Sequence, residues 1–123
     1  MKTSWQETTV APAGTHHLHR GLPFYEPRFL EALSFHAPGI AAVRDSSGAF
    51  HIGNDGAPLY SHRFRRTFGF YEGRATVTAE DGAYPIDESG SAVSAERFAW
   101  CGNFQSGRCP ARDFDGRYFH LTR

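Results

Sequence analysis

Displaced by roughly 34 residues, the chain lies on itself, and this periodicity constrains the fold more than any other feature of the sequence. Gly39, Gly73 and Gly107 fall in one column, Val43, Val77 and Ala111 in a second, and Gly48, Gly82 and Gly116 in a third. Phe50, Tyr84 and Tyr118 make a fourth column, and Ile52/Ile86, Gly56/Gly90, Arg63/Arg97 and Phe64/Phe98 continue the match without a gap. Such a pattern describes tandem copies of one supersecondary unit, each too small to bury its own apolar face and stabilised by its neighbours.

Paired-helix repeats share this period, so helices have to be excluded separately. Two or three Gly-centred turn signals per unit, about eight residues apart, leave no room for two helices. Between the turns the side chains alternate. In Arg74-Ala-Thr-Val-Thr78, Ala75 and Val77 share one face while Arg74, Thr76 and Thr78 share the other. Asp81-Gly82 and Asp115-Gly116 read as hairpin turns. Ala83–Asp87 returns with Tyr84 and Ile86 on one face, Glu88-Ser89-Gly90 turns again, and a third extended piece runs from Val93 to Phe98. Abundant Phe and Tyr, 13 Gly and 7 Pro suit short strands and tight turns.

The expected fold is therefore all-β: tandem β-hairpin repeats of about 34 residues forming a short solenoid or a small closed β array. The chain reads as a single repeat domain, residues 1–123, with units near 1–34, 35–69, 70–103 and a truncated 104–123. That last copy stops after its second strand, so either the chain is cut from something longer or its N-terminal residues complete the final unit. Arg28–Ser34 falls in an inter-unit connection, with a short helical turn as the alternative.

Thirteen basic against thirteen acidic residues, with no run of one sign, argue against a nucleic-acid partner, which needs a concentrated positive surface. No stretch reaches the ~18 apolar residues of a spanning helix, and the first residues lack the apolar core of a secretion signal. The expectation is a cytoplasmic protein without a membrane partner. Two cysteines are too few for a disulfide framework.

Cys109 shares a column with Ala41 and Ala75, an inward strand position where a free thiol packs as a small hydrophobe. Cys101 sits in a connection from which it could reach Cys109 in an oxidising compartment. His16-His17-Leu18-His19 is the one metal-like cluster, because His17 and His19 project from the same face of a strand. A metal site needs a third or fourth ligand, for which Glu26 and His120 are the candidates, and an ordinary strand with polar exposed residues is the simpler account. His36, His51 and His62 read as surface or capping residues. Glu80-Asp81, Asp87-Glu88 and Asp113/Asp115 flank turns, which explains them without catalysis. The better binding candidates are the aromatic column, Phe50, Tyr84 and Tyr118, and the arginine column, Arg28, Arg63 and Arg97, each arginine preceding Phe. The rings either form the core shared by consecutive units or face outward as a ladder for an extended ligand. The guanidinium heads could cover an aromatic face or pair with Glu26 or Glu96.

Phe70-Tyr-Glu-Gly-Arg-Ala-Thr-Val77 and Asp81-Gly-Ala-Tyr-Pro-Ile-Asp-Glu-Ser-Gly90 resemble the WG repeat family, bacterial tandem repeats of the form Phe-x-x-Gly-x-Ala-x-Val followed by x-x-Gly-x-Trp-Gly-x-Ile-Asp-x-x-Gly. Phe104–Ala111 and Gly39–Val43 fit more loosely, and the naming Trp-Gly pair is replaced by Tyr84-Pro85, Phe50-His51 and Tyr118-Phe119. The resemblance implies a β-hairpin array that serves as an accessory region of larger bacterial proteins, some carrying enzymatic domains such as methyltransferases, with no general catalytic residues. The expected function is a non-catalytic binding or scaffolding module without cofactor, whose partner is a protein or another domain of the same polypeptide. The alternative is a small ligand- or glycan-binding domain using Phe50, Tyr84, Tyr118, Arg63 and Arg97, and an enzyme built on the His cluster is the least supported reading.

Overall fold

The computed structural model describes residues 4–122 and carries no α-helix among them, only a 3-10 turn at Ser4–Glu7. The expected chain-end boundaries at Met1 and Arg123 lie outside the described residues. Among the described residues twelve strands make four antiparallel three-stranded sheets. The first contains β1 (Thr8–Val10), β2 (His17–His19) and β3 (Leu22–Pro23), and the second β4 (Glu31–His36), β5 (Ile40–Asp45) and β6 (Gly48–Ile52). The third contains β7 (Arg66–Thr67), β8 (Ala75–Ala79) and β9 (Gly82–Ile86), and the fourth β10 (Trp100–Cys101), β11 (Arg108–Arg112) and β12 (Tyr118–Thr122).

Alternation sets the faces. Val43 pairs with Phe50 and Val77 with Tyr84, so a β-branched residue meets a ring on the core side of consecutive hairpins. Ala41 and Ile52 follow on the same side, as do Ala75 and Ile86, all buried. One apolar cluster runs from Tyr25 to Ile86 through the second and third sheets, and a second around Phe98, Phe104, Cys109 and Ala111 fills the fourth.

The last three sheets each cross a boundary between sequence units, through β4, β7 and β10. The segment after a hairpin first lies along its own hairpin, with Ala49 bridging Phe64 and Ala83 bridging Phe98, then moves on to the next. Arg65 N–H donates to Thr78 O and Ala99 N–H to Arg112 O, joining neighbouring sheets by the same bond. The third piece expected at Val93–Phe98 therefore bends, and the paired strand is β10, hydrogen-bonded to the following hairpin. Nor does 28–34 form a helical turn. Phe29 N–H donates to Thr15 O and Leu30 N–H to Arg44 O, partners far along the chain, and β4 begins at Glu31.

The glycine column holds in two copies and breaks in the third. Gly48 and Gly82 have φ of 127° and 131°, and a Cβ there would lie 2.8 Å from Phe64 O and 2.7 Å from Phe98 O respectively. Both open a returning strand over which the connecting arm passes, and only glycine admits that approach. Gly116 has φ of 89° with nothing within 4 Å. It closes a wider loop in which Asp113 N–H donates to Arg117 O and Gly116 N–H to Asp113 O, the pattern of Asp87–Ser91 rather than of Asp81-Gly82. The loop carries an extra residue, so Ala111 pairs with Phe119 and Arg112 with Tyr118. The residue in the Phe50/Tyr84 column is therefore Phe119, whose ring lies 5.5 Å from Phe98, while Tyr118 faces outward, 74% exposed. A one-residue slip transfers a strand position to the opposite face.

Candidate functional site

Phe50 and Tyr84 are buried, and their outer faces are covered. The guanidinium carbon of Arg63 stands 3.8 Å from the Phe50 ring centre and that of Arg97 3.7 Å from Tyr84. The same heads close the preceding loop. Arg63 Nη1 donates to the carbonyls of Tyr60, Ser61 and His62, Arg97 Nη1 to those of Ser94, Ala95 and Glu96, and Arg28 Nη1 to those of Tyr25, Glu26 and Pro27. The arginine column thus binds backbone carbonyls, including those of Glu26 and Glu96. Arg63 Nε donates to Ser47 and Arg97 Nε to Asp81. A guanidinium flat enough to stack and rich enough in donors to serve three carbonyls suits this position, and an ammonium does not.

His17 and His51 occupy matching buried sites. Each Nε2–H donates to a carbonyl of the next sheet's first strand region, Leu33 O at 2.7 Å and Phe68 O at 2.7 Å. Each Nδ1 then accepts from a tyrosine hydroxyl, Tyr25 at 2.6 Å and Tyr60 at 2.5 Å. Burial holds the His51 pKa down at about 4, against the pull of the Phe68 carbonyl, and lowers that of His17 likewise. The same burial raises the Tyr25 phenol to about 12 and lifts that of Tyr60 as well. The expectation of a surface or capping role for His51 is therefore corrected: its imidazole is a buried two-way connector between sheets. With both nitrogens occupied, His17 offers no ligand nitrogen to a metal, and His19 Nε2 lies 3.0 Å from Glu7. No cluster of three metal-ligating side chains occurs among the described residues. His36 stands against Tyr71, ring centres 5.0 Å apart, and His62 is exposed.

Cys109 is fully buried in the alanine column, its thiol donating to Gly102 O at 3.1 Å. Cys101 hydrogen-bonds it from the neighbouring strand, and that contact together with burial raises the Cys101 thiol's pKa. Both thiols are free.

The open features lie on the other side of the hairpins. Between the second and third sheets runs a groove of about 400 Å³, floored by Ala42 and Ala49, with Arg44, Arg65, Arg66, Leu33 and Phe68 on its walls. A smaller groove of about 170 Å³ lies between the third and fourth sheets. It uses the equivalent positions one repeat later: Thr76 for Ala42, Thr78 for Arg44, Ala83 for Ala49, Ala99 for Arg65 and Trp100 for Arg66. Arg66 and Phe68 line both, forming a ridge on which the guanidinium stands 5.3 Å from the ring. Phe68 is 41% and Trp100 44% exposed. Sequence reading passed over both residues because neither falls in a glycine or aromatic column. Phe68 aligns with Gly102 and Trp100 with Arg66, so periodicity averages them away. Comparison of the chain with protein-family models, curated proteins and solved structures gives no match.

Proposed function

We propose that the protein is a non-catalytic binding or scaffolding module, a divergent WG-type hairpin array stacked as a short solenoid, that engages a protein partner through the ridge-and-groove face. The observation carrying this reading is a groove repeated at successive sheet junctions, flanked by Phe68 and then Trp100, large apolar side chains left open to solvent beside arginine. Interfaces draw most of their energy from a few aromatic and arginine anchors in such settings. The buried side chains support the reading from the other direction. The imidazoles most suited to acid–base work are committed at both nitrogens to a tyrosine and a carbonyl, and the rings of Phe50 and Tyr84 are stacked beneath arginine, so a ligand using that ladder would first have to displace the guanidinium.

Selection of a random displayed-peptide library on the purified protein tests this. Enriched peptides are expected to lose about 2 kcal/mol of binding to a Phe68→Ser/Trp100→Ser variant, the scale of an interface anchor, while the thermal transition of the exposed-site variant is unchanged. Failure to enrich any peptide, or equal binding to the variant, would remove the support for this face.

A further inference from the structure

We propose that the groove between the second and third sheets is a site for an extended acidic peptide segment carrying one bulky apolar side chain, its carboxylates paired by Arg44, Arg65 and Arg66 and its apolar group seated against Leu33 and Phe68. The inference rests on the binding-module reading above and names the ligand class for the groove between the second and third sheets.

The charge pattern is local, since the chain as a whole balances 13 basic against 13 acidic residues. Arg44, Arg65 and Arg66 line this groove against the single carboxylate of Glu31, and Arg44 and Arg65 also line the adjoining concavity that holds Asp45, Glu80 and Asp81. Among the other arginines, Arg28, Arg63 and Arg97 bind loop carbonyls and Arg20 pairs with Glu7, while Arg108, Arg112 and Arg117 lie outside this groove. The side chain of Arg44 makes no hydrogen bond or ion pair among the described residues, although Glu31 is its register partner across the strand pair. Among the described residues Arg66 has only the Phe68 ring, and Arg65 reaches Glu80 at 3.9 Å with both side chains largely exposed, a contact of little worth. These planar donors are therefore open to a carboxylate, which a guanidinium binds with two parallel hydrogen bonds.

The groove's form favours an extended chain over a compact anion. Arg66 and Phe68 also belong to the next groove, so a ligand crossing the ridge meets Thr76, Thr78 and then Trp100. The equivalent positions there, Thr78 for Arg44 and Ala99 for Arg65, carry no charge, so cationic recognition is confined to one end of the face. A nucleic-acid backbone, charged at every residue, is poorly matched to a strip that is cationic for one repeat only and is bordered by Glu80 and Asp81 in the adjoining concavity.

Three fluorescein-labelled peptides test the assignment by anisotropy: a central Phe in a Gly-Ser frame, flanked by Glu, by Gln or by Lys. The Glu peptide is expected to bind at least tenfold tighter than the other two, to weaken with added salt, and to lose at least tenfold with Arg44→Gln/Arg65→Gln/Arg66→Gln. All three sites are exposed, so the variant should keep its thermal transition. Arg112→Gln/Arg117→Gln, outside the groove, is expected to change affinity less than twofold. Equal binding of the Gln peptide, or equal loss in the control variant, overturns the acidic assignment and leaves the module reading intact. If none of the three binds and the library selection also yields nothing, both readings fall. Displacement of the Glu peptide by a short oligothymidylate at low concentration would overturn the proposal in favour of a nucleic-acid groove.

Discussion

A buried imidazole with both nitrogens engaged can hold one tautomer and no charge. His51 gives its Nε2 proton to Phe68 O and takes the Tyr60 proton on Nδ1, so protonation would set two donors against each other at Nδ1. Its folded pKa of about 4 lies below the ordinary 6.5. The unfolded chain therefore takes up a proton first as pH falls. The stability from keeping the imidazole neutral is fully present above about pH 6.5 and drains away toward pH 4, on the order of 3 kcal/mol for this group. His17, lowered by the same cause, adds in the same direction. Urea unfolding followed by circular dichroism across that window should show the midpoint falling steadily with acid, and His51→Gln should flatten the slope. A pH-independent midpoint in the native protein would contradict the assigned pairing. At neutral pH, Tyr60→Phe leaves the Nδ1 lone pair buried without a donor and should cost about 1–3 kcal/mol. This network was hidden in the sequence because its columns change chemistry. The third copy has Pro85 and Ser94 where the second has His51 and Tyr60, and Thr76 Oγ1 takes over the carbonyl, donating to Gly102 O at 2.6 Å.

At the scale of the element, turn chemistry decides register. The hairpins were legible because glycine at positive φ has few substitutes and because alternation follows from the pleat. Two-residue turns with positive φ at both positions place a non-glycine residue first: Arg20-Gly21 between β2 and β3, Glu72-Gly73 before β8 and Ser106-Gly107 before β11. What could not be read was the extra residue before β12. Tyr118 and Phe119 are both aromatic, either satisfies the column, and only strand pairing shows that Phe119 is the inward ring. The two glycines of the column should therefore answer differently to one substitution. Gly82→Ala puts a methyl 2.7 Å from a backbone oxygen at φ of 131°, and should cost about 3 kcal/mol. Gly116→Ala meets open space and carries only the conformational strain, about 1 kcal/mol. Thermal unfolding of the two variants separates them, and equal losses would mean that the last turn resembles the earlier ones after all.

For the whole molecule the consequence of repetition is that a unit should be removable if the cut respects the period. Excising residues 66–99 joins Arg65 to Trp100, leaving the arm over β6 in place and passing it directly to β11. Each bond that linked the second sheet to the third then has a ready counterpart. Arg65 N–H, which donates to Thr78 O, meets Arg112 O, the acceptor of Ala99 N–H. His51 Nε2 finds Gly102 O where Phe68 O had been, Tyr60 remains on its Nδ1, and Phe104 takes the place of Phe70 against the imidazole. Trp100 and Cys101 keep their native partners Arg112 and Ala111. The shortened chain should fold to the same strand-rich spectrum with a cooperative transition, at reduced stability because one inter-sheet interface is gone. Excising 66–98 instead leaves Ala99 in the arm, shifts its register by one, and turns Trp100 inward and Cys101 out, a change the pleat cannot absorb. That chain should lack a cooperative transition. If both excisions unfold alike, the sheets depend on contacts beyond nearest neighbours, and a stack of interchangeable units is the wrong physical description. If only the in-period excision folds, stability resides in pairwise junctions, and the loss of Arg66 and Phe68 with the excised unit should weaken acidic-peptide binding while the fold survives.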